Sequence, residues 1–327
     1  MNPLRRRFLQ LAAAAAALRA VSSPVLAQPY PARPVRVIVP IAPGGQVDVI
    51  SRLFAQKLAE RLGKQFYVEN LPGAGGTIGT SRAAMAAPDG YTLLGTDGIF
   101  FVTAPSLYNR VPYDPSSDFE AVAIAATTAQ MLAVHPSVSA RTVKELVALI
   151  KAGPGKYSYA SAGVGTGAHL TGELFRVSLG LDIVPVPYNG GGPAIAATVG
   201  GHTQIVFGSP AAIIPHALDG KLRALAVAGK NRVRGLPDVP TMAEEGFANL
   251  ESDTWVGFVA PARTPTETVV LLNQEIVRIA QQKDVMDRML ALGFESGSYT
   301  PQQMQAFIKR DSPKWASVIR ESGIKPQ

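Results

Sequence analysis

The sequence predicts an α/β protein whose sheets carry parallel strands with helices packed on both faces. One pattern recurs along the chain: a short β-branched run, then a Gly/Pro-rich loop, then an amphipathic helical period. The pattern runs through two successive rounds, and 327 residues suit two domains better than one. With 47% hydrophobic and 17% charged residues, the chain can bury a large core.

The first round begins with the apolar run "VRVIVP", whose length and composition predict a buried strand. After an uncharged loop, Ile50, Phe54, Leu58 and Leu62 recur every four residues, as on one face of a helix, and Gly63 suits its end. The next predicted strands are "FYVEN" and "YTLLGT", separated by a glycine loop that runs into a helix. This β-α-β-α-β order predicts a parallel sheet.

The second round follows "YDPSSDFEAVA". Its predicted strands are "MLAVHP", "YSYAS", "DIVPVPY", "TQIVFGSP", "LRALAVAG" and "TWVGFVAP". Helices are expected at "TVKELVALIKA", after the loop "AGVGTGAHL" and after "NGGGP", and two more in the tail from residue 266 onward. The Pro- and Gly-containing segment 105–117 and the strand "TWVGFVAP" are the expected crossings between the two halves.

The N-terminus has the pattern of an export signal over residues 1–27. A charged "RRRFLQ", an apolar "LAAAAAAL" and a small-residue "VLA" before Gln28 predict cleavage near that residue. "RRRFL" fits a twin-arginine signal as well as an ordinary Sec signal, so both export routes stay open. Without this segment, 27 basic face 24 acidic side chains, a net charge of +3. No basic run with interleaved aromatics is present, so nucleic acid is not an expected partner.

The chain contains no cysteine, which excludes disulfides, lipid attachment through cysteine and thiolate zinc sites. Beyond the signal there is no long apolar span, so the mature protein is expected to be free in the exported compartment. The four histidines show no H-x-x-x-H spacing. We therefore expect neither a metal nor a cofactor.

Glycine-rich loops follow several predicted strands, at residues 42–45, 73–79, 162–167 and 189–192. Ligands in open α/β sheets bind outside the carboxyl ends of the strands. Glycine lets a backbone approach a ligand closely, and the helix behind the loop presents free N–H groups that favour an anion. These loops could thus hold a carboxylate without a basic side chain. The competing interpretation is that each glycine only makes a tight turn.

Motifs for other functions match poorly. "GVGTGA" resembles a dinucleotide fingerprint, but Asp182 begins the next strand where the acidic residue should end it. An exported hydrolase would need a nucleophile and a base, and Ser161 with His169 is the available pair. Asp48 lies in the first turn of its helix, where an acid suits the helix dipole as well as a ligand.

Several longer segments, taken in order, carry a family resemblance. They include "YPARPVRVIVPIAPGGQVDVISR", "VENLPGAGGTIGTSRAAMAAPDGYTLL", "GVGTGAHLTGELF" and "VPYNGGGPAIAATVGG", and then "LRALAVAGKNRVRGLPDVPTMAEEGF" with "TWVGFVAPARTP". In these segments the chain resembles the Bug-type substrate-binding proteins of tripartite tricarboxylate transporters. The match covers almost the whole mature chain.

The resemblance implies a two-lobe periplasmic-binding-protein type II fold that closes on its ligand like a flytrap. Residues 28–127 and 255–327 would form one lobe and residues 128–254 the other. It implies a monomeric, non-enzymatic protein of the periplasm that captures a small organic acid, either a carboxylate or an amino acid. The implied partners are the membrane subunits of a tripartite transporter, or a sensor.

The resemblance and the strand ends together give the expected ligand-binding residues. In the first lobe these are Ile41, Ala42, Pro43, Gly44, Gly45, Asp48, Gly76 and Thr96. In the second lobe they are Ser161, Gly165, Thr166, His169, Tyr188, Asn189 and Gly190. Ile41, Gln46 and Val47 depart from the family pattern, so the ligand cannot be copied from relatives.

Overall fold

The computed structural model describes residues 30–326, and the predicted signal peptide at residues 1–27 lies outside the described residues. From Arg33 onward the chain forms one unit with two β-sheets. None of the helices in the described part of the chain is both long and apolar enough to cross a membrane.

The strands are β1 Val35–Val39, β2 Phe66–Asn70, β3 Thr92–Asp97, β4 Phe119–Thr128, β5 Met131–Val134, β6 Tyr157–Ser161, β7 Ile183–Pro187, β8 Ile205–Gly208, β9 Arg223–Val227, β10 Thr254–Pro261 and β11 Glu295–Ser296. The helices are α1 Gln46–Leu62, α2 Thr77–Ala84, α3 Gly98–Leu107, α4 Val143–Ala152, α5 Gly167–Ser178, α6 Gly191–Val199, α7 Pro210–Leu218, α8 Thr266–Ala280, α9 Lys283–Ala291 and α10 Pro301–Ser322. Short 3₁₀ turns lie at Ala74–Gly76 and Ala248–Leu250.

The first lobe is built on a six-stranded sheet with the order β11-β4-β10-β3-β1-β2. β1 is parallel to both β2 and β3, which confirms the β-α-β-α-β prediction. Since β2 and β3 lie on opposite sides of β1, right-handed crossovers place α1 and α2 on opposite faces of the sheet. β10 runs antiparallel to β3 and β4, so the sheet is mixed and not purely parallel as predicted.

The second lobe is built on a five-stranded sheet with the order β7-β6-β8-β5-β9. β6 is parallel to β7 and β8, whereas β5 is antiparallel to β8 and β9. The chain enters this sheet between β4 and β5 and leaves it between β9 and β10. Segment 105–117, predicted as a crossing, instead joins α3 to β4 within the first lobe. The prediction was wrong because β4, the strand that follows this segment, belongs to the sheet of the first lobe.

Several other elements differ from the prediction, and β4 and β11 were not predicted as strands. α3 and α7 directly follow β3 and β8, where no helix was expected. Both helices are so apolar that their sequences show no clear helical period. The tail contains three helices, not two, because the chain breaks between α8 and α9. The last helix, α10, packs on α3 and β4 of the first lobe and on α5 of the second. It buries Trp315, which is 1% exposed, and so ties the two lobes together beside the crossing strands.

Candidate functional site

The carboxyl ends of strands from both lobes meet around two adjoining cavities of about 230 and 330 Å³. The smaller lies in the first lobe and the larger lies between the lobes. Asp97 and Phe100 line both cavities, which we together call the cleft. Thr128, Gln130 and Thr254, at the crossings between the lobes, form part of its floor.

The first wall of the cleft is the loop Ile41–Gly45, which Asp48 and Asn70 hold in place. The Asp48 carboxylate accepts the Gly44 N–H at 2.9 Å and the Asn70 amide at 2.8 Å. The same Asn70 amide donates to the Ile41 carbonyl at 3.0 Å. Arg52 pairs with Asp48 at 3.0 Å. Burial alone would raise the pKa of Asp48, but these donors outweigh it and lower that pKa. Asp48 is 2% exposed, so its role here is to shape the loop.

The second wall is the loop from Ser161 to the start of α5. Thr166 caps α5: its hydroxyl accepts the His169 N–H at 3.3 Å and donates to the Gly163 carbonyl at 2.7 Å. The backbone N–H of Gly165 donates to Nδ1 of His169 at 3.3 Å. A left-handed backbone at Gly163 and Gly165, with φ of 124° and 79°, makes this turn possible.

His169 is buried against a polar network and does not line the cleft. Its ring lies 6.4 Å from that of Tyr159, whose hydroxyl donates to Glu173 at 2.6 Å, and Glu173 pairs with Arg176 at 2.6 Å. Burial lowers the pKa of His169, the Glu173 charge acts the opposite way, and Arg176 lowers it further. The neutral ring therefore serves as an acceptor that fixes the Gly165 turn.

A third loop, Tyr188–Gly190, is bonded to the second. The Tyr188 N–H donates to the Ser161 carbonyl at 2.9 Å, and the Gly190 N–H donates to the Ala162 carbonyl at 3.1 Å. Gly190 is the N-cap of α6, whose first residue, Gly191, lines the cleft. These hydrogen bonds hold the two second-lobe loops against each other.

Helix N-termini without side-chain caps face the cleft. The N-caps of α1, α6 and α7 are Gly45, Gly190 and Ser209, and none makes a side-chain cap hydrogen bond. Gln46 and Gly191, the first residues of α1 and α6, line the cleft together with Ser209. The first N–H groups of a helix have no partner within it, so the starts of α1 and α6 offer donors to an anion, whereas α7 begins with Pro210, which has no N–H.

The predicted site residues fall into two groups. Those that line the cleft are Ile41, Ala42, Gly76, Thr96 and Thr166. Those that lie in or behind the same loops without lining either cavity are Pro43, Gly44, Gly45, Asp48, Ser161, Gly165, His169, Tyr188, Asn189 and Gly190. Neighbours of this second group, namely Gln46, Val47, Ala162, Gly167 and Gly191, line the cleft instead.

Sequence reasoning missed several cleft residues. Asp97 and Ser209 stand at or just after the ends of β3 and β8, where the strand-end rule would have placed them. Thr254 begins β10, which was predicted as a crossing strand. Gln130 and Phe294 carry no local signal, because only the tertiary fold brings them to the cleft.

The pair proposed for a hydrolase does not assemble. Ser161 is fully buried, and its hydroxyl has no hydrogen-bond partner within the described chain. The Nδ1 of His169 is engaged with Gly165. A nucleophile–base hydrogen bond, which this chemistry requires, is therefore not formed. Within residues 30–326, no group of three or more His, Cys, Asp or Glu side chains could hold a metal ion.

A larger cavity of about 500 Å³ lies beside the crossings. Thr128, Thr254 and Phe294 separate it from the cleft, since they line both. At its edge a Cβ added to Gly293 would lie 2.8 Å from the Cβ of Ala211, so the lobes meet tightly there.

Comparison with known proteins agrees with this geometry. Residues 50–324 match the tripartite tricarboxylate transporter family receptor. The chain is 37% identical to Protein BugT of Bordetella pertussis over 306 residues, which cover 93% of this chain and 94% of BugT.

Solved structures of similar chains also agree with this geometry. The structure of Rpa4515 from R. palustris with adipate has a TM-score of 0.74 at 31% identity, covering 91% of this chain and 100% of that one. MatC from Rhodopseudomonas palustris with bound malate has a TM-score of 0.71 at 30% identity, covering 89% and 100%. The two-sheet architecture and the interlobe cleft are those of a two-lobe solute-binding fold, and the chain belongs to the family of tripartite tricarboxylate transporter receptors.

Proposed function

We propose that this protein captures a small organic carboxylate in the cleft and presents it to the membrane subunits of a tripartite transporter, or to a sensor. The observation that carries the proposal is the pair of uncapped helix N-termini of α1 and α6, whose first residues, Gln46 and Gly191, both line the cleft. Backbone donors and the partial positive charge of a helix start favour an anion there without a basic side chain.

The relatives support an acid as the ligand. One neighbouring structure was solved with adipate and another with malate, at 31% and 30% identity. Both molecules end in carboxylates. The proposed site residues are the loops Ile41–Gly45, Ser161–His169 and Tyr188–Gly190, with Asp48 behind the first and Gly76 and Thr96 beside it in the cleft wall.

The proposed mechanism is lobe closure. The division of lobes near residues 127 and 255 places one set of donors on each side, so a ligand that bridges them stabilises the closed arrangement. Close approaches between the lobes support this: a Cβ added at Gly165 would lie 2.9 Å from Leu107, and one at Gly167 would lie 3.1 Å from Ile99. Binding and not turnover is the proposed activity, because Ser161 and His169 are not bonded to each other.

Export to the periplasm is part of the proposal, since the function requires ligand capture outside the inner membrane. The arginine-rich, alanine-rich start of the chain supports it. The Sec and twin-arginine routes are distinguished by blocking each one and measuring the protein in the periplasm.

Thermal unfolding of the mature chain, residues 28–327, tests the ligand class. A panel of aliphatic and aromatic carboxylates is compared with the primary amide of each acid. A ligand at 100 times its Kd stabilises the native state by about 2.7 kcal/mol, which raises Tm measurably. At least one carboxylate should raise Tm while its amide does not. If no carboxylate shifts Tm, the proposed function is wrong.

A further inference from the structure

The walls of the cleft carry a negative group and no basic one. Among the described residues that line the two cavities, none is Lys, Arg or His, and Asp97 is the carboxyl common to both. The phenol of Tyr113 also lines the cleft, but burial raises its pKa to about 12, so it is neutral. The one ionised side chain that a ligand meets is therefore an anion.

Asp97 has acceptor capacity to spare. Its Oδ1 accepts the N–H groups of Ile99 at 2.8 Å and Phe100 at 3.3 Å, which caps α3. Its Oδ2 contacts the Thr254 hydroxyl at the long distance of 3.5 Å. A carboxylate has about four acceptor positions, so Oδ2 is free to take a strong donor from the cleft.

Burial disfavours the charge that Asp97 carries. It raises the pKa of this carboxyl to about 6, against the lowering effect of the Phe100 and Ile99 N–H groups and the Thr254 hydroxyl. Among the described residues that line the cleft, no cationic side chain offsets the charge. A second carboxylate brought beside it would be repelled, whereas an ammonium group would be attracted.

Phe100 adds a second reason to expect a cation. Its ring is 38% exposed and lines both cavities, one turn from the helix cap at Asp97. An aromatic face attracts an ammonium group as well as an apolar chain. A basic ligand group placed near Asp97 would thus meet a carboxylate and a ring from the same short segment.

We infer that Asp97 binds an ammonium group of the ligand, so that this cleft selects amino carboxylates over dicarboxylates of the same length. The inference rests on the proposed function, which assigns the ligand carboxylate to the helix N-termini. Both charges of a zwitterion then have a partner: the carboxylate lies against backbone N–H groups and the ammonium group lies against Asp97. A dicarboxylate would place one of its charges near Asp97 without a partner.

Calorimetric titration of the mature chain with matched ligand pairs tests this. Each pair has the same chain length and differs in one group, for example 3-aminopropanoate against succinate and 5-aminopentanoate against adipate, with the α-amino acids as a further set. We expect the best amino carboxylate to bind at least about tenfold more tightly than any dicarboxylate.

The variant Asp97→Asn removes the charge and keeps the helix cap, because Asn caps helices as well as Asp does. It should weaken amino carboxylates by about tenfold or more and strengthen dicarboxylates, a reversal that a structural defect would not produce. In the wild type, amino carboxylate affinity should also fall as the pH is lowered through 6, when Asp97 takes up a proton. The pH dependence is measured on the wild-type protein, so it does not depend on whether a variant folds.

The outcomes separate the two proposals. Tighter binding of dicarboxylates to the wild type, or an unchanged preference in Asp97→Asn, overturns the role of Asp97 and leaves the proposed function intact. Binding of neither class to the wild type overturns the role of Asp97, and the proposed function falls as well only if no carboxylate of the thermal panel raises Tm.

Discussion

The backbone N–H of Gly165 donates a 3.3 Å hydrogen bond to Nδ1 of His169, four residues further on. The bond makes a buried imidazole the support of a cleft loop. It also fixes the tautomer, because Nδ1 can accept only when the ring proton is on Nε2. The sequence predicted that His169 contacts the ligand. In the structure it instead supports a loop of the cleft.

Replacing His169 should weaken both the fold and the site. In His169→Ala the Gly165 N–H loses its acceptor inside the protein, which costs about 1–3 kcal/mol of unfolding free energy. Ligand affinity should fall with it, because the Gly165 turn loses its fixed position. His169→Asn is the matched control, since its side-chain oxygen can occupy the Nδ1 position. Urea unfolding and calorimetry on both variants measure this, and equal losses in the two would refute the acceptor role.

The stability of the protein should depend on His169 below neutral pH. Burial lowers the pKa of His169 in the folded state relative to its unfolded value of about 6.5, with Glu173 acting against burial and Arg176 with it. The unfolded chain then binds the proton first, so the contribution of His169 is present above about pH 6.5 and is lost as the pH falls below it.

The titration of Asp97 changes the folding stability in the opposite direction, so its contribution must be separated from that of His169. Its folded pKa is raised to about 6, so it favours the folded state as the pH falls through that value. The measurement is therefore the difference in unfolding free energy between the wild type and His169→Asn from pH 7.5 to 5. That difference should shrink on acidification, and a constant difference would show that His169 does not titrate in this range.

Asp48 should be needed for the first cleft loop. Its carboxylate holds the Gly44 N–H and the Asn70 amide, and Asn70 in turn holds the Ile41 carbonyl. Asp48→Ala leaves these donors unpaired and should cost about 1–3 kcal/mol of unfolding free energy, with a loss of ligand affinity. Asp48→Asn keeps an acceptor oxygen and should lose less of both. An Asp48→Ala protein with wild-type affinity would show that the loop keeps its shape without this clamp.

Gly167 should control how closely the lobes approach. A Cβ at this position would lie 3.1 Å from Ile99 of the first lobe, across the cleft, and 3.3 Å from the Gln130 amide at the crossing. Gly167→Val should therefore keep the lobes further apart and lower ligand affinity by about tenfold. Gly192→Ala is the control, since nothing lies within 4 Å of its added Cβ. Equal affinities for the two variants would exclude a steric role for Gly167 in closure.

The sequence predicted those parts of the fold that rest on local periodicity. The strands β1, β2 and β3 and helix α1 have clear patterns, and their parallel pairing follows from the chirality of the crossover. β4 was not predicted as a strand, and the antiparallel direction of β10 was not predicted because it depends on where the chain changes lobes. α3 and α7 were missed because an apolar helix directly after an apolar strand shows no change of period.

The site was predicted at the level of loops more than of side chains. Glycine-rich strand ends mark where backbone approaches the cleft, and Ile41, Ala42, Gly76, Thr96 and Thr166 do line it. A shift of one residue in the turn changes which side chain of a loop faces the cleft. For that reason Gly167 lines the cleft while His169, two positions on, is buried behind it.

The most direct test of the central claim is a crystal structure of the mature chain with a carboxylate that raises its Tm. The account predicts that the ligand carboxylate lies in the cleft within hydrogen-bond distance of backbone N–H groups at the start of α1 or α6, with no basic side chain in contact. A carboxylate held by a Lys or Arg side chain, or bound outside the cleft, would contradict it.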